Sequence, residues 1–298
     1  MSILINSNTN VLVQGITGSE GAFWTRHMKT YGTNVVAGVT PGKYGQEVEG
    51  IPVYNTVRQA AKEFRIDASV LFVPPRFALD ALFEALDAGI RKVVILSEGI
   101  PVHDTVLMRR AVLETGALVL GGNTTGIISL DEAMMGFFPY WLERVYRKGT
   151  VGVMTRSGSL TNEVTAEIVK AGFGASSVVG IGGDSIPCTR FADVLPQFES
   201  DPDTEAVVMI GEIGGTMEEE VADVIRSRKF TKPLVAFFAG RNAPKGMKMG
   251  HAGAIISAGK GTVADKIEAL QGVGALIAQR PSAVGKLLQQ VLRVGHKV

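Results

Sequence analysis

His251 stands in Met249-Gly250-His251-Ala252-Gly253-Ala254-Ile255, between two glycines and among side chains too small to cover it. Glycine permits tight loops and close backbone approach to a ligand, so the imidazole is read either as a loop-tip group that meets a phosphate or as the incidental histidine of a turn. A carboxylate that suits the first reading is Glu212, in Met209-Ile210-Gly211-Glu212-Ile213-Gly214-Gly215, at the end of an apolar run. Parallel sheets place their sites at such strand ends. Glu212 would accept a hydrogen bond from one ring nitrogen of His251, fix the tautomer and leave the other nitrogen free to attack phosphorus. The alternative is an unpartnered surface glutamate.

Two glycine- and serine-containing turns supply anion-binding chemistry. The first, Gly15-Ile16-Thr17-Gly18-Ser19-Glu20-Gly21, follows an apolar run and opens a helix, where free N–H groups and the helix dipole favour a phosphate. Its spacing is G-x-x-G-x-x-G, not the G-x-G-x-x-G of dinucleotide binders. The next apolar run ends Val39-Thr40-Pro41-Gly42-Lys43, with a lysine where those binders carry a ribose-holding carboxylate. Lys43 favours a ligand with an extra phosphate near the ribose, as in coenzyme A; NADP, or an empty fold with a solvated lysine, are the alternatives. The second turn, Thr155-Arg156-Ser157-Gly158-Ser159-Leu160-Thr161-Asn162-Glu163, is either a second anion site at a helix start or a plain capping sequence.

The remaining chemistry-bearing residues are weaker candidates. His27 lies in a helical pattern, His103 before a helix and His296 near the end of the chain, while Cys188 is read as a small packed residue. One cysteine excludes an internal disulfide framework and a cysteine-cluster metal site, and no metal-ligand set is read in this chain. Gly253–Thr262 resembles a phosphate-binding P-loop, but it has five residues between its glycines, and Gly261 follows Lys260 where Ser or Thr is needed.

These residues have to be positioned by strands and helices that the apolar pattern lays out. Val- and Ile-rich runs at 11–16, 34–39, 68–73, 92–97 and 117–120 alternate with helical segments such as 75–88 and 106–114. A second series has runs at 151–155, 177–181, 206–211, 234–239 and 275–277, with helices near 160–171, 217–227 and 282–294. Alternation of this kind means parallel, doubly wound α/β sheets, one in each of two domains. Between the series lies an aromatic connection with Phe137-Phe138-Pro139-Tyr140-Trp141, read as interdomain packing or as a surface for a partner or substrate.

With 298 residues, 46% apolar and 20% charged, the chain can build two full cores. A formal charge of +1 without a Lys/Arg block argues against nucleic acid, and no apolar run approaches the roughly 18 residues of a membrane span. The first residues, MSILINSNTNVLVQG, lack the pattern of a secretory signal, so the cytoplasm is expected.

In order and over nearly the whole chain, the segments Gly15–Gly21, V-T-P-G-K, S-E-G-I-P, R-S-G-S-L-T, G-I-G-G-D, M-I-G-E-I-G-G and M-G-H-A-G-A-I resemble the α subunit of succinyl-CoA synthetase and related NDP-forming acid–CoA ligases. The resemblance implies a CoA-binding Rossmann-like domain over 1–125, the connection over 126–149, and a flavodoxin-like ligase domain over 150–298. His251 would be the phosphohistidine and Glu212 its orienting carboxylate. Thr17, Gly18, Ser19, Glu20, Lys43, Leu96, Ser97 and Glu98 would contact coenzyme A. Ser157, Gly158 and Ser159 would form the helix start that stabilises the phosphoryl group. ATP or GTP with Mg2+ would sit on a separate β subunit of ATP-grasp fold, in keeping with the lack of an ATP motif here. The substrate would be a small carboxylic acid. Succinate itself is put in doubt by Asn162, at a substrate-associated position where the succinate enzymes have Tyr. Phe138–Leu142 likewise replaces a glycine- and histidine-containing segment. Malate, citrate and sulfoacetate are the other candidates, with Arg190 as a second anionic anchor or a surface charge. Two other functions stay open: a catalytically silent CoA-binding regulator on the same fold, and an NAD(P)-dependent dehydrogenase.

Overall fold

The structure is a computed structural model in which residues 3–244, 247–256 and 261–293 are described. His296 and Lys260 lie outside them. The chain forms two compact units, one of Leu4–Phe138 with Ile186–Thr189, the other of residues 139–185 and 190–293 with Ile3.

In the first unit the strands are β1 (Asn10–Gln14), β2 (Asn34–Val39), β3 (Glu47–Val48), β4 (Ile51–Tyr54), β5 (Ala68–Leu71), β6 (Lys92–Ile95) and β7 (Leu118–Gly121). They form one sheet in the order β3-β4-β2-β1-β5-β6-β7, parallel apart from the β3–β4 pair. Helices α1 (Ser19–Tyr31), α2 (Val57–Glu63), α3 (Ala78–Asp87) and α4 (Val102–Thr115) connect them. Strands such as β1, with Val11-Leu12-Val13 at its centre, read as continuous apolar runs because parallel strands are covered on both faces. Leu12, Leu71, Leu82 and Ile95 are fully buried in the resulting core, each stabilising the fold by about 1.5–3 kcal/mol. Between β1 and α1 the chain turns at Gly15, where φ is +80° and any Cβ would collide with the carbonyl of Phe72, so only glycine fits.

The stretch read as a connection divides between the units. Strands β8 (Gly126–Ser129) and β9 (Ala133–Gly136) pair as a buried antiparallel hairpin of the first unit, tied to it by Thr33 Oγ1, which donates to the Met134 carbonyl at 2.8 Å. Phe137 packs its ring on Trp24 and Phe72, at 5.4 and 5.5 Å between centroids. Tyr140 and Trp141, in edge contact at 5.2 Å, belong to the second unit.

The second unit holds β10 (Lys148–Thr155), β11 (Ala175–Gly180), β12 (Ala206–Glu212), β13 (Leu234–Ala239) and β14 (Leu276–Ala278), parallel in the order β14-β13-β12-β10-β11. Its helices are α5 (Gly158–Lys170), α6 (Phe191–Ser200), α7 (Met217–Arg226), α8 (Val263–Gln271) and α9 (Val284–Arg293). Both expected parallel sheets are present. Several short elements were not legible from periodicity: α2, α6, α8 and the β3–β4 ribbon. His103 is not before a helix but in the first turn of α4, whose N-cap is Pro101, and its exposed ring lies 3.6 Å from Asp104. His27 packs among Phe23 and Trp24 on α1, and Cys188 is buried in the first unit, its amide donating to the Gly121 carbonyl. No helix among the described residues is long and apolar enough to cross a membrane.

Candidate functional site

The C-terminal ends of β10 and β12 bring three side chains of the second unit together. Glu212, the last residue of β12, is buried, and its Oε2 lies 2.8 Å from His251 Nδ1. Its other oxygen lies 3.2 Å from Nε of Arg156, the residue that follows β10 and is itself 3% exposed. A buried carboxylate needs a compensating charge, and the Arg156 guanidinium supplies it. The Arg156 contact is an ion pair without hydrogen-bond geometry, so the guanidinium keeps Glu212 a carboxylate by charge alone. A carboxylate can only accept, so its Oε2 requires a proton on Nδ1 of His251, which leaves the lone pair on Nε2. The imidazole is about one quarter exposed, enough for that nitrogen to meet a ligand.

Main-chain bonds hold the histidine loop. Met249 N–H donates to the Ala254 carbonyl at 2.9 Å, Ala254 N–H to the His251 carbonyl at 3.1 Å, and Gly253 N–H to the Gly183 carbonyl at 3.0 Å. The ring lies flat against Gly183, where an added Cβ would stand 2.6 Å from His251 Cγ. Gly183 therefore has to be glycine for the ring to keep its place.

Ser157 caps α5, its Oγ accepting from the Leu160 amide at 3.5 Å and lying 3.3 Å from Ser159 Oγ. The next residues, Gly158 and Ser159, open a 13-residue helix immediately after the arginine that touches Glu212. That helix start offers two hydroxyls beside its free main-chain donors, the chemistry of an anion site. One turn on, Asn162 accepts a 2.6 Å hydrogen bond from Tyr146 Oη, and burial pushes the Tyr146 phenol well above the ordinary tyrosine range, so it stays a donor. Arg190, read as an anionic anchor or a surface charge, is partly exposed and pairs with Glu220 at 2.5 Å, at the start of α6. Among the described residues, no group of three or more His, Cys, Asp or Glu is arranged to hold a metal ion.

The first unit carries a cavity of about 730 Å³ at the C-terminal edge of its sheet, where the strands turn into helices. Gly15, Thr17 and Gly18 form one side of it, Val39, Thr40 and Pro41 another, and Phe72, Val73, Pro74 and Phe77 an apolar wall, with Gln14, Asp80, Ala81 and Glu84 completing the lining. Thr17 Oγ1 and Thr40 Oγ1 are 3.1 Å apart, which couples the glycine-rich turn to the end of β2. The start of α1 opposite apolar and aromatic walls suits a ligand with a phosphate and a planar base. Of the expected contacts, Thr17 and Gly18 line the cavity. Ser19 and Glu20 follow in the first turn of α1, and Lys43 is exposed two residues beyond Pro41. Ser97 Oγ donates to the carbonyl of Val73, a wall residue, at 2.5 Å; Leu96 is buried beside it and Glu98 is exposed. Sequence reasoning assigned no role to Arg156, Gly183 or the Thr40 hydroxyl. Arg156 alone had a local signal, an arginine between the end of an apolar run and Ser-Gly-Ser.

A CoA binding domain model matches residues 6–99 and a CoA-ligase model residues 154–276. The chain is 61% identical to the ADP-forming sulfoacetate-CoA ligase subunit SauD of Bilophila wadsworthia, over 98% of this chain and all of that one. It is 50% identical to the Archaeoglobus fulgidus succinate–CoA ligase [ADP-forming] subunit alpha 1, over 98% of this chain and 99% of the relative. Among solved structures, ATP citrate lyase of Methanosaeta concilii in complex with (3S)-citryl-CoA superposes with a TM-score of 0.89 at 26% identity, over 98% of this chain. The chain spans about half (51%) of that longer protein's length. The two matched domains stand in the order of a CoA-binding half and a ligase half, and half or more of the residues are shared with subunits of named ligases. This chain is therefore an enzyme subunit that belongs to the family of NDP-forming acid–CoA ligase α subunits, the succinyl-CoA synthetase α-subunit family.

Proposed function

We propose that this subunit relays a phosphoryl group through His251 to activate a small carboxylic acid bearing a second anionic group, sulfoacetate foremost, for transfer to coenzyme A. The observation that carries the proposal is the Arg156–Glu212–His251 chain, which leaves Nε2 as the nucleophilic atom. Nε2 attacks the γ-phosphorus of ATP or GTP, the bond to the β-phosphate oxygen breaks, and the nucleoside diphosphate leaves. A carboxylate oxygen of the acid then attacks the same phosphorus, the P–N bond breaks, and an acyl phosphate forms. Finally the CoA thiol attacks the acyl carbon, phosphate departs and the thiol proton goes to solvent. Each step exchanges one activated bond for another, which divides a difficult condensation into easier transfers. Ser157, Gly158 and Ser159 at the start of α5 offset the charge on the phosphohistidine.

Coenzyme A fits the first-unit cavity, with Thr17, Gly18, Ser19 and Glu20 at its phosphates, Lys43 at the phosphate near the ribose, and Leu96, Ser97 and Glu98 toward the thiol arm. Nucleotide and Mg2+ are assigned to an ATP-grasp β subunit, because Lys260-Gly261 breaks the P-loop pattern here. We assign the subunit to the cytoplasm. Sulfoacetate is favoured over succinate by the 61% against 50% identities to the respective subunits and by Asn162, whose amide N–H groups would donate to a sulfonate.

The test is to co-express the chain with its β subunit and supply γ-labelled ATP or GTP with Mg2+. Acid-labile label should appear on this chain and disappear in His251→Ala. If His251→Ala still labels and still makes acyl-CoA, the relay is wrong. Trapping acyl phosphate with hydroxylamine across sulfoacetate, succinate, malate and citrate identifies the acid.

A further inference from the structure

Behind the Glu212–His251 pair lies a fully buried lysine that the relay does not use. Lys266, on α8, has no exposed side-chain surface, and its Nζ lies 2.5 Å from Glu218 Oε2, equally inaccessible, and 3.1 Å from Glu219 Oε2. The same ammonium donates to the Gly214 and Gly215 carbonyls at 3.2 and 3.1 Å. Glu218 uses its other oxygen, Oε1, to accept from the main-chain N–H of Glu212 at 3.2 Å. Thus one ion pair grips the backbone on both sides of Ile213, immediately beyond the carboxylate that faces His251. The gripped loop also abuts the histidine loop: a Cβ on Gly214 would stand 2.8 Å from the Ile255 amide nitrogen, and Gly214 N–H donates to the Gly261 carbonyl at 2.8 Å.

A buried ion pair is seldom better for stability than an apolar pair of the same volume, because desolvation offsets the attraction. Its distinguishing property is that it fixes positions. We propose that Lys266 and Glu218 are positioning residues for phosphoryl transfer: they fix the main chain of 212–215, and through it the Glu212 carboxylate that holds His251 in its Nδ1–H tautomer. The proposal rests on His251 being the phosphoryl carrier.

The test uses the co-expressed complex with Lys266→Met/Glu218→Leu, which removes both charges together and leaves neither one buried alone. It also uses Glu218→Gln, which keeps an acceptor for the Glu212 amide and weakens only the ionic grip. Expected are a native melting profile to within a few degrees, unchanged KM for nucleotide and CoA, and labelling of His251 slowed about 10-fold or more in the double variant, less in Glu218→Gln, as for other residues that orient a reacting group through a hydrogen bond. In the isolated chain, imidazole 15N shifts should report one Nδ1–H tautomer for the wild type and a mixture for the double variant. A folded double variant with native labelling rate and native 15N shifts overturns the proposal, as does a wild-type His251 without the Nδ1–H tautomer. Should the double variant not fold, Glu218→Gln with native rate and shifts overturns it equally. Persistent labelling of His251→Ala would instead remove the carrier assignment, while the 15N readout would still test the grip.

Discussion

Glu212→Gln tests the site more sharply than deletion of the carboxylate. Glutamine matches glutamate in shape, but one end of its amide donates and the other accepts. Glu212 has Arg156 Nε 3.2 Å from one oxygen and His251 Nδ1 2.8 Å from the other, with both glutamate and arginine almost fully buried. Arg156 offers only donors, so the amide oxygen must turn to it and the NH2 group to His251. Nδ1 then becomes the acceptor, the proton moves to Nε2, and the nucleophile is blocked. Restoring the reactive tautomer means facing the NH2 group to a buried guanidinium, which exchanges attraction to the amide oxygen, on the scale of about 1.5–3 kcal/mol for a charged polar contact, for comparable repulsion. Roughly 4 kcal/mol corresponds to about a thousandfold slower transfer. The assay is rapid-quench labelling of His251 from γ-labelled nucleotide in the complex. Arg156→Met/Glu212→Gln should label faster than Glu212→Gln alone, because without the arginine the amide can flip and accept from Nδ1. If Glu212→Gln stays within about threefold of the wild type, or the double variant is no faster than the single, the tautomer reasoning is refuted.

Three further outcomes are expected. Gly183→Ala puts a Cβ 2.6 Å from the His251 ring, so labelling should fall at least tenfold while circular dichroism and CoA binding stay native; normal labelling would show that the ring can shift without loss. Lys43→Ala should raise KM for CoA about tenfold, near 1.4 kcal/mol, and leave His251 labelling intact; equal loss with desulfo- and dephospho-CoA would separate general binding from a phosphate contact. In Tyr146→Phe, Asn162 loses its 2.6 Å partner, so KM for the acid should rise with the labelling rate unchanged. Because the folded Tyr146 phenol is held above its unfolded range, its stabilising contribution is complete below about pH 10 and is lost as pH rises further. A spectrophotometric titration should therefore show one late-ionising phenol fewer in Tyr146→Phe than in the wild type, while Tyr54, pushed up to about 12 by burial and by Glu63, ionises late in both.

The sequence by itself determined the two parallel sheets, because strands covered on both faces must be continuous Val/Ile runs, and that pattern survives without knowledge of any neighbour. It also marked His251 and Glu212, since glycines on either side of a polar group at a strand end leave a local trace. The resemblance added the order of the domains and the chemistry expected of each. Tertiary structure alone decided which groups complete the site. Arg156, Gly183, Lys266 and Glu218 come from four separate segments, and their partners lie dozens of residues away, as in Arg156 with Glu212 and Lys266 with Gly214. No spacing rule links such positions. The order β14-β13-β12-β10-β11 sets β10 beside β12, and that adjacency is what places an arginine within 3.2 Å of the carboxylate. The hairpin of β8 and β9 escaped for a related reason: Ile127-Ile128 and Met134-Met135 are too short to show a period, and only their burial beside Thr33 makes them strands.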